Sequence, residues 1–170
     1  PGGLDGDFGI KYATSSGGQC QPSESEAIYN QTLNLTEYKI ANCPDIDLSR
    51  ITTLKCENTE IEIIDPYIDY IDMMKSIFDF PKLKKLTTSD FRFVFDAMNG
   101  VTGPYGKKIF EEELGAPKGT VINATPLEDF GGLHPDPNLI YAKHLVDLMY
   151  SEAAPDFAAA NDGDGDRNMI

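Results

Sequence analysis

The sequence predicts an α/β protein with mixed, mostly parallel sheets covered by helices. Three observations carry that prediction. The second half of the chain alternates strand-like and helical stretches in the order β-α-β-α-β, which implies right-handed crossovers and a largely parallel sheet. Of its 170 residues 41% are apolar and 25% charged, enough for one sizeable core or two small ones. A glycine-spaced acidic loop leaves the third of these strands at its carboxyl end, where open α/β sheets gather their ligands.

The elements follow in chain order. Residues 1–18 are dense in glycine and contain Gly6-Asp-Phe-Gly-Ile-Lys11, a pattern for sharp turns or close approach to a ligand. Ser23-x-x-Glu26 reads as a capping box, and Ile28, Leu33, Leu35, Tyr38 and Ile40 extend a helix to about Ala41. Residues 42–57 are irregular around Pro44, and Glu60–Ile64 alternates as a strand does. Asp65-Pro66 starts a helix whose face carries Ile68, Ile71, Met74, Ile77 and Phe78, and Pro81 ends it. The polar stretch 82–90, with Lys82, Lys84 and Lys85, is the expected domain junction. Then come a buried strand Phe91–Phe95, a turn at Asn99-Gly100, a helix Pro104–Leu114 with Gly115 behind it, and a strand Thr120–Thr125. A helix Pro137–Tyr150, with Leu139, Ala142, Leu145, Val146 and Met149 inward, precedes the strand Asp156–Ala160.

Charge and cysteine content limit the partners. With 28 acidic against 14 basic residues the chain carries −14, which disfavours nucleic acid and anionic membranes, since both are held by clustered Lys and Arg. No stretch reaches the ~18 apolar residues of a membrane span, and the opening has no secretory signal, so a cytosolic protein is expected. The three cysteines Cys20, Cys43 and Cys56 show no CxxC spacing and are read as free thiols. Three Asn-x-Thr patterns, at Asn30, Asn34 and Asn123, are not taken as glycosylation sites. The chain starts at Pro1 and stops at Ile170, just after its most chemically loaded segment, and is expected to be an internal piece of a longer protein.

Asp162-Gly-Asp164-Gly-Asp166-Arg167 is that segment. Three carboxylates this close repel one another, and a divalent cation with hard oxygen ligands, Mg²⁺ or Ca²⁺, relieves the repulsion. The glycines between them relieve crowding and permit φ > 0. A solvated acidic turn is the plain alternative. A calcium hand is disfavoured because its sixth position requires Gly and here is Arg167. Arg167 could clamp a phosphate beside the cation or merely pair with a neighbouring Asp. Lys11 could meet a phosphate or transfer a proton, or be a surface lysine. His134, in a turn-rich loop, is read as structural and His144 as surface or packing. The three lysines at 82–85 and Glu111–Glu113 are read as solvated faces, and Tyr67, Tyr70, Met73 and Met74 as core.

Four segments in order resemble the α-D-phosphohexomutases, and within them the eukaryotic-type phosphoglucomutases and parafusins. They are Pro1-Gly-Gly with Gly6-Asp-Phe-Gly-Ile-Lys11, Phe95-Asp-Ala-Met-Asn-Gly100-Val-x-Gly103-Pro-Tyr, Pro126-Leu-Glu-Asp-Phe-Gly-Gly-x-His-Pro-Asp-Pro-Asn-Leu139, and Asp162-Gly-Asp-Gly-Asp-Arg167-Asn. The resemblance implies parts of two phosphohexomutase domains: residues 1–80 as the rear of domain I, after the phosphoserine loop, and 81–170 as domain II ending in the metal loop. It implies interconversion of glucose 1-phosphate and glucose 6-phosphate through glucose 1,6-bisphosphate, with the phosphoserine upstream of Pro1 and this segment inactive by itself. A parafusin-type phosphoprotein of regulated exocytosis is the alternative. Mg²⁺ would be held by Asp162, Asp164 and Asp166, substrate would be touched by Lys11, Asp166 and Arg167, and Lys11 would be the catalytic residue within this chain. Sugar phosphates and the remaining domains of the parent chain are the implied partners. The sequence departs from the family pattern at Leu133, where a polar residue is expected, and at Asn161, where an apolar one is.

Overall fold

In the computed structural model residues 10–170 are described, so the first half of the glycine-rich opening 1–18 lies outside the described residues. The chain divides into two compact units after Asp65.

In the first unit, helix α1 (Pro22–Thr32) is followed by strands β1 (Thr52–Cys56) and β2 (Thr59–Ile63). The strands form an antiparallel hairpin, with Thr52 opposite Ile63 and Cys56 opposite Thr59. Alternation turns Leu54, Cys56, Ile61 and Ile63 inward. β1 falls where an irregular stretch was expected: Thr-Thr-Leu-Lys-Cys has strand alternation, but its inward face is only two residues long. The helix ends nine residues before the expected Ala41. Thr32 Oγ1 donates to Tyr29 O at 2.7 Å and Asn34 Nδ2 to Asn30 O at 3.0 Å, which satisfies last-turn carbonyls and closes the helix. Its apolar residues bury no face that would extend it, and Leu35, Tyr38 and Ile40 stay exposed. The free-thiol expectation is also corrected: Cys43 and Cys56 form a disulfide across a Cα–Cα distance of 5.6 Å, while Cys20 is free. A separation of 13 residues carries no motif, and only the fold brings the pair within bonding range.

The second unit, Pro66–Ile170, opens with helices α2 (Ile68–Ile77) and α3 (Phe80–Thr87). Pro81 sits in the first turn of α3, where its missing N–H costs nothing, and the Asp79 side chain accepts from Lys82 N at 3.0 Å. The proline that was expected to end a helix thus opens one, and the polar stretch read as a junction is helical. It is anchored by Thr87 Oγ1 donating to Leu114 O at 2.6 Å and Lys84 Nζ to Glu113 O at 3.1 Å.

A four-stranded sheet follows, ordered β4-β3-β5-β6. β3 (Phe93–Asp96) runs parallel to β4 (Val121–Ile122) and to β5 (Phe157–Asn161), and β6 (Asn168–Met169) returns antiparallel to β5. The protein is therefore α/β with a mixed, mostly parallel sheet. Between β3 and β4 lie α4 (Thr102–Gly106) and a π-helical continuation, Lys107–Glu113, closed by Gly115 at φ +72°. Glu111 is not merely solvated: its Oε1 accepts from Gly119 N at 2.8 Å and Val121 N at 3.1 Å, setting the start of β4.

Between β4 and β5 the regular helix is α5 (Lys143–Met149), shorter than the expected Pro137–Tyr150. Asn138 Oδ1 accepts from Ile140 N and Tyr141 N, both at 2.9 Å, a side-chain turn that competes with helix. Leu139 is consequently exposed rather than inward. The core between sheet and α5 is Met98, Ala142, Leu145, Ala158 and Ala160, flanked by Val94, Ile122, Leu148, Met149 and Met169.

A candidate cation site at the carboxyl end of β5

β5 delivers the chain into the Asp162–Asp166 loop at its carboxyl end. Ala158 and Ala160 face the core, and Asp162 follows in the same inward phase, 2% exposed. A buried carboxylate needs partners, and Asp162 has them: Oδ1 accepts from Arg167 N at 3.0 Å and Oδ2 from Arg167 Nε at 2.9 Å. The loop folds back on itself through Asp162 N to Arg167 O at 3.2 Å and Gly165 N to Asp162 O at 3.2 Å. Both glycines are needed, for different reasons. Gly165 lies at φ +81°, a region that favours glycine. A β-carbon on Gly163 would come within 2.9 Å of the Phe130 ring.

The structure brings Asp162, Asp164 and Asp166 together. One carboxylate oxygen from each lies within 4.8 Å of the others, with Asp162 buried and the other two exposed. Hard dications hold oxygen ligands at ~2.0–2.6 Å, so three oxygens at this spacing can share one ion. A further polar atom stands beside the loop. Thr102 Oγ1 is buried with no hydrogen-bond partner among the described residues, and Thr102 Cγ2 is 2.5 Å from where a β-carbon on Gly165 would be.

Arg167 belongs to the same cluster. Its Nη1 donates to Asp136 Oδ1 at 2.7 Å, and Asp166 Oδ1 lies 3.6 Å from Nε. The hydrogen bond to Asp162 first, then the charge of Asp136, raise its pKa above the ordinary value, so it stays a cation throughout the useful pH range. Pairing with neighbouring aspartates is thus realised, yet the side chain remains 61% exposed and can reach a further anion.

Lys11 is exposed in the first unit, two residues before an isolated bridge between Ala13 and Gln19. His134 packs its ring at a tilt against Tyr141, with centroids 4.2 Å apart, a contact that suits a structural role. Tyr67 and Tyr70 pack edge-on against Tyr105, and Ile71 rather than Met73 is the buried residue of α2.

Three contributors escaped sequence reasoning. Asp136, in the His-Pro-Asp-Pro string, grips Arg167. Gly100 gives the loop room, since a β-carbon there would lie 2.7 Å from Gly163 O. Asp96, fully buried at the end of β3, is bonded to His144. All three lay inside recognisable motifs, but none belongs to a residue type whose role can be read without its neighbours.

An acidic loop with an adjoining arginine thus stands at the carboxyl end of a parallel strand in an α/β domain, the place where open α/β sheets gather their ligands. The sequence matches the pattern of phosphoglucomutase/phosphomannomutase, alpha/beta/alpha domain II, over residues 68–170, and the chain belongs to that family. It is 52% identical to the chloroplastic phosphoglucomutase of Solanum tuberosum, covering all of this chain and 27% of that protein. It is 49% identical to the phosphoglucomutase of Rhizobium radiobacter and 47% to the cytoplasmic one of Populus tremula, in each case covering all of this chain and 31% of the relative. The crystal structure of the exocytosis-sensitive phosphoprotein parafusin, a phosphoglucomutase of Paramecium, in its open form, superposes with a TM-score of 0.84 at 41% identity, covering 97% of this chain and 32% of that one. The chain thus spans under a third of the length of these relatives.

Proposed function

We infer that the chain is the segment of a phosphoglucomutase that binds the metal and part of the substrate, in an enzyme that interconverts glucose 1-phosphate and glucose 6-phosphate through glucose 1,6-bisphosphate and an enzyme phosphoserine. The observation that carries this reading is the convergence of three aspartate oxygens and Arg167 where β5 ends. Residues 1–80 and 81–170 are assigned to domains I and II. The compact second unit and the matched span begin somewhat earlier, at residues 66 and 68.

Asp162, Asp164 and Asp166 would hold Mg²⁺, which supplies Lewis-acid stabilisation of charge on a transferring phosphoryl group. The protein residues divide the remaining work. Asp162 holds Arg167 from two sides and so fixes where the loop closes. Arg167, a cation at any working pH, presents its exposed guanidinium edge to a phosphate. Lys11 serves as proton carrier or electrostatic partner to the sugar hydroxyl. The phosphoserine is supplied by the parent chain, so this segment alone is expected to turn over no substrate. No helix among the described residues is long and apolar enough to cross a membrane, and the cytoplasm is the proposed compartment, as named for the Populus tremula relative.

The test is the full-length protein assayed for conversion of glucose 1-phosphate. Chelation abolishes activity and Mg²⁺ restores it, and Asp164→Ala lowers kcat by about 10²–10³, the scale of losing one preorganised charge-stabilising element. Full activity in chelator, or an unimpaired Asp164→Ala, overturns the assignment. The parafusin likeness favours one second reading, a phosphoprotein of exocytosis; a full-length protein that is folded, phosphorylated and inactive as a mutase would select it.

A further inference from the structure

Asp96 is a fully buried carboxylate that the proposed chemistry does not use. It ends β3 in register with Ala160 of β5, two residues before Asp162. Its Oδ1 accepts from Met98 N at 2.8 Å and from Asn123 Nδ2 at 2.9 Å, and its Oδ2 is in short contact with His144 Nε2. One side chain therefore ties together the carboxyl ends of β3 and β4 and helix α5.

What it holds is the turn Ala97–Gly100. Met98 and Asn99 both have positive φ, at 48° and 55°, a conformation that non-glycine residues keep only when their surroundings fix it. Asn99 N donates to Asn123 O at 2.9 Å, Asn99 Nδ2 to Thr125 O at 2.9 Å, and Gly100 N closes the turn onto Ala97 O at 2.8 Å. The far side of this turn is the support of the acidic loop. Val101 N donates to Gly163 O at 3.1 Å, and Gly100 approaches Gly163 so closely that no β-carbon fits between them.

The geometry points to Asp96, with Asn123 and His144, as a positioning cluster that sets the metal affinity of the Asp162–Asp166 loop through the 97–101 turn. This rests on the reading of that loop as a cation site. None of the three touches the loop's carboxylates in the contacts described; they act by fixing the strained turn against which Gly163 is docked. Partners that orient metal ligands from outside commonly carry a 10–100-fold effect on affinity. A buried network with one member removed leaves the others unsatisfied.

The experiment is a titration of the full-length protein with Mn²⁺ by electron paramagnetic resonance, together with the Mg²⁺ activation constant and the KM for glucose 1-phosphate. His144→Ala, at a half-exposed site that tolerates truncation, is expected to weaken Mn²⁺ binding several-fold, and Asp96→Ala by about 10-fold or more, with KM for the sugar phosphate little changed. Asp96→Asn keeps an oxygen for Met98 N and Asn123 Nδ2 and a polar amide facing His144 Nε2, so it restores affinity to within about twofold of the parent. If Asp96→Ala does not fold, His144→Ala and Asn123→Ala decide. Variants that lose thermal stability but bind Mn²⁺ like the parent make the cluster merely structural and overturn the proposal. A parent protein that takes up no Mn²⁺ at all overturns the cation reading beneath it, a different failure seen before any variant is made.

Discussion

The two compact units differ in what keeps them ordered. In the second, Ala97, Met98, Ala142 and Ala160 have no exposed surface, and sheet and helix close over them. In the first, the buried apolar residues among those described are Cys56 and Ile63, both on one hairpin face, while α1 buries none of its residues. Small apolar faces cannot offset the entropy of ordering a chain. The first unit relies instead on a covalent link and on local side-chain bonds at turns and helix ends. The Asp162–Asp166 loop, proposed above to hold a cation, stands on the unit with the layered core, where positions can be held to the tolerance such a site needs.

The largest test of that contrast is removal of the Cys43–Cys56 bond. A cross-link closing a loop of 13 residues is worth about 3 kcal/mol in the chain-entropy account. Reduction, or the Cys43→Ser/Cys56→Ser pair, should raise amide exchange in β1 and β2 by about two orders of magnitude, since ~1.4 kcal/mol is a factor of ten. Exchange at Val94 and Ala158 should not change. Equal loosening of both sets would show that the second unit does not stand on its own core.

A somewhat smaller effect runs the other way. A β-carbon on Gly103 would lie 2.1 Å from Ala124 O, a backbone atom that cannot swing aside. Gly103→Ala should therefore push α4 from the end of β4 and cost about 1–3 kcal/mol, read as a lower Tm. The β1–β2 hairpin should keep its exchange protection. An unchanged Tm would mean that the approach of α4 to Ala124 is looser than its geometry.

What could be read in advance follows the same division. In the second unit the β-α-β-α-β order after residue 90, the Asn99-Gly100 turn and the Gly115 terminator were legible, because apolar period and turn chemistry there agree with the packing, whereas the helix Phe80–Thr87 and the short strand Asn168–Met169 were not. The convergence of the aspartate trio was legible because the intervening glycines let three closely spaced carboxylates turn toward one another. In the first unit the sequence overstates α1, since Leu35, Tyr38 and Ile40 keep helical spacing but stay exposed, and it gives little sign of β1, whose inward face is two residues long. Pro81 misled because a proline that stops one helix also suits the first turn of the next. Asp96 with His144, and Asp136 with Arg167, were out of reach for another reason. Each pair is separated by more than thirty residues, and no local period reports a partner so distant.

The smallest effect lies at Asp47 in the first unit. Ser49 Oγ donates to Asp47 Oδ1 at 2.5 Å and Ser49 N at 3.0 Å, and these bonds, the hydroxyl's first, hold the carboxyl below its ordinary value of 3.8. A depressed folded-state pKa contributes stability that is present above the unfolded value and is lost as pH falls through the folded one. Because the side chain is fully exposed, solvent screens the gain, and acid unfolding should not be governed here. The local signature is nevertheless sharp. The Asp47 side-chain carbon resonance should titrate with a midpoint below 3.8, and Ser49→Ala should move that midpoint upward while Mn²⁺ binding at the Asp162–Asp166 loop stays the same. A midpoint already at the ordinary value would mean that the turn is not held in solution, and that the disulfide is left as the main constraint on the segment between α1 and β1.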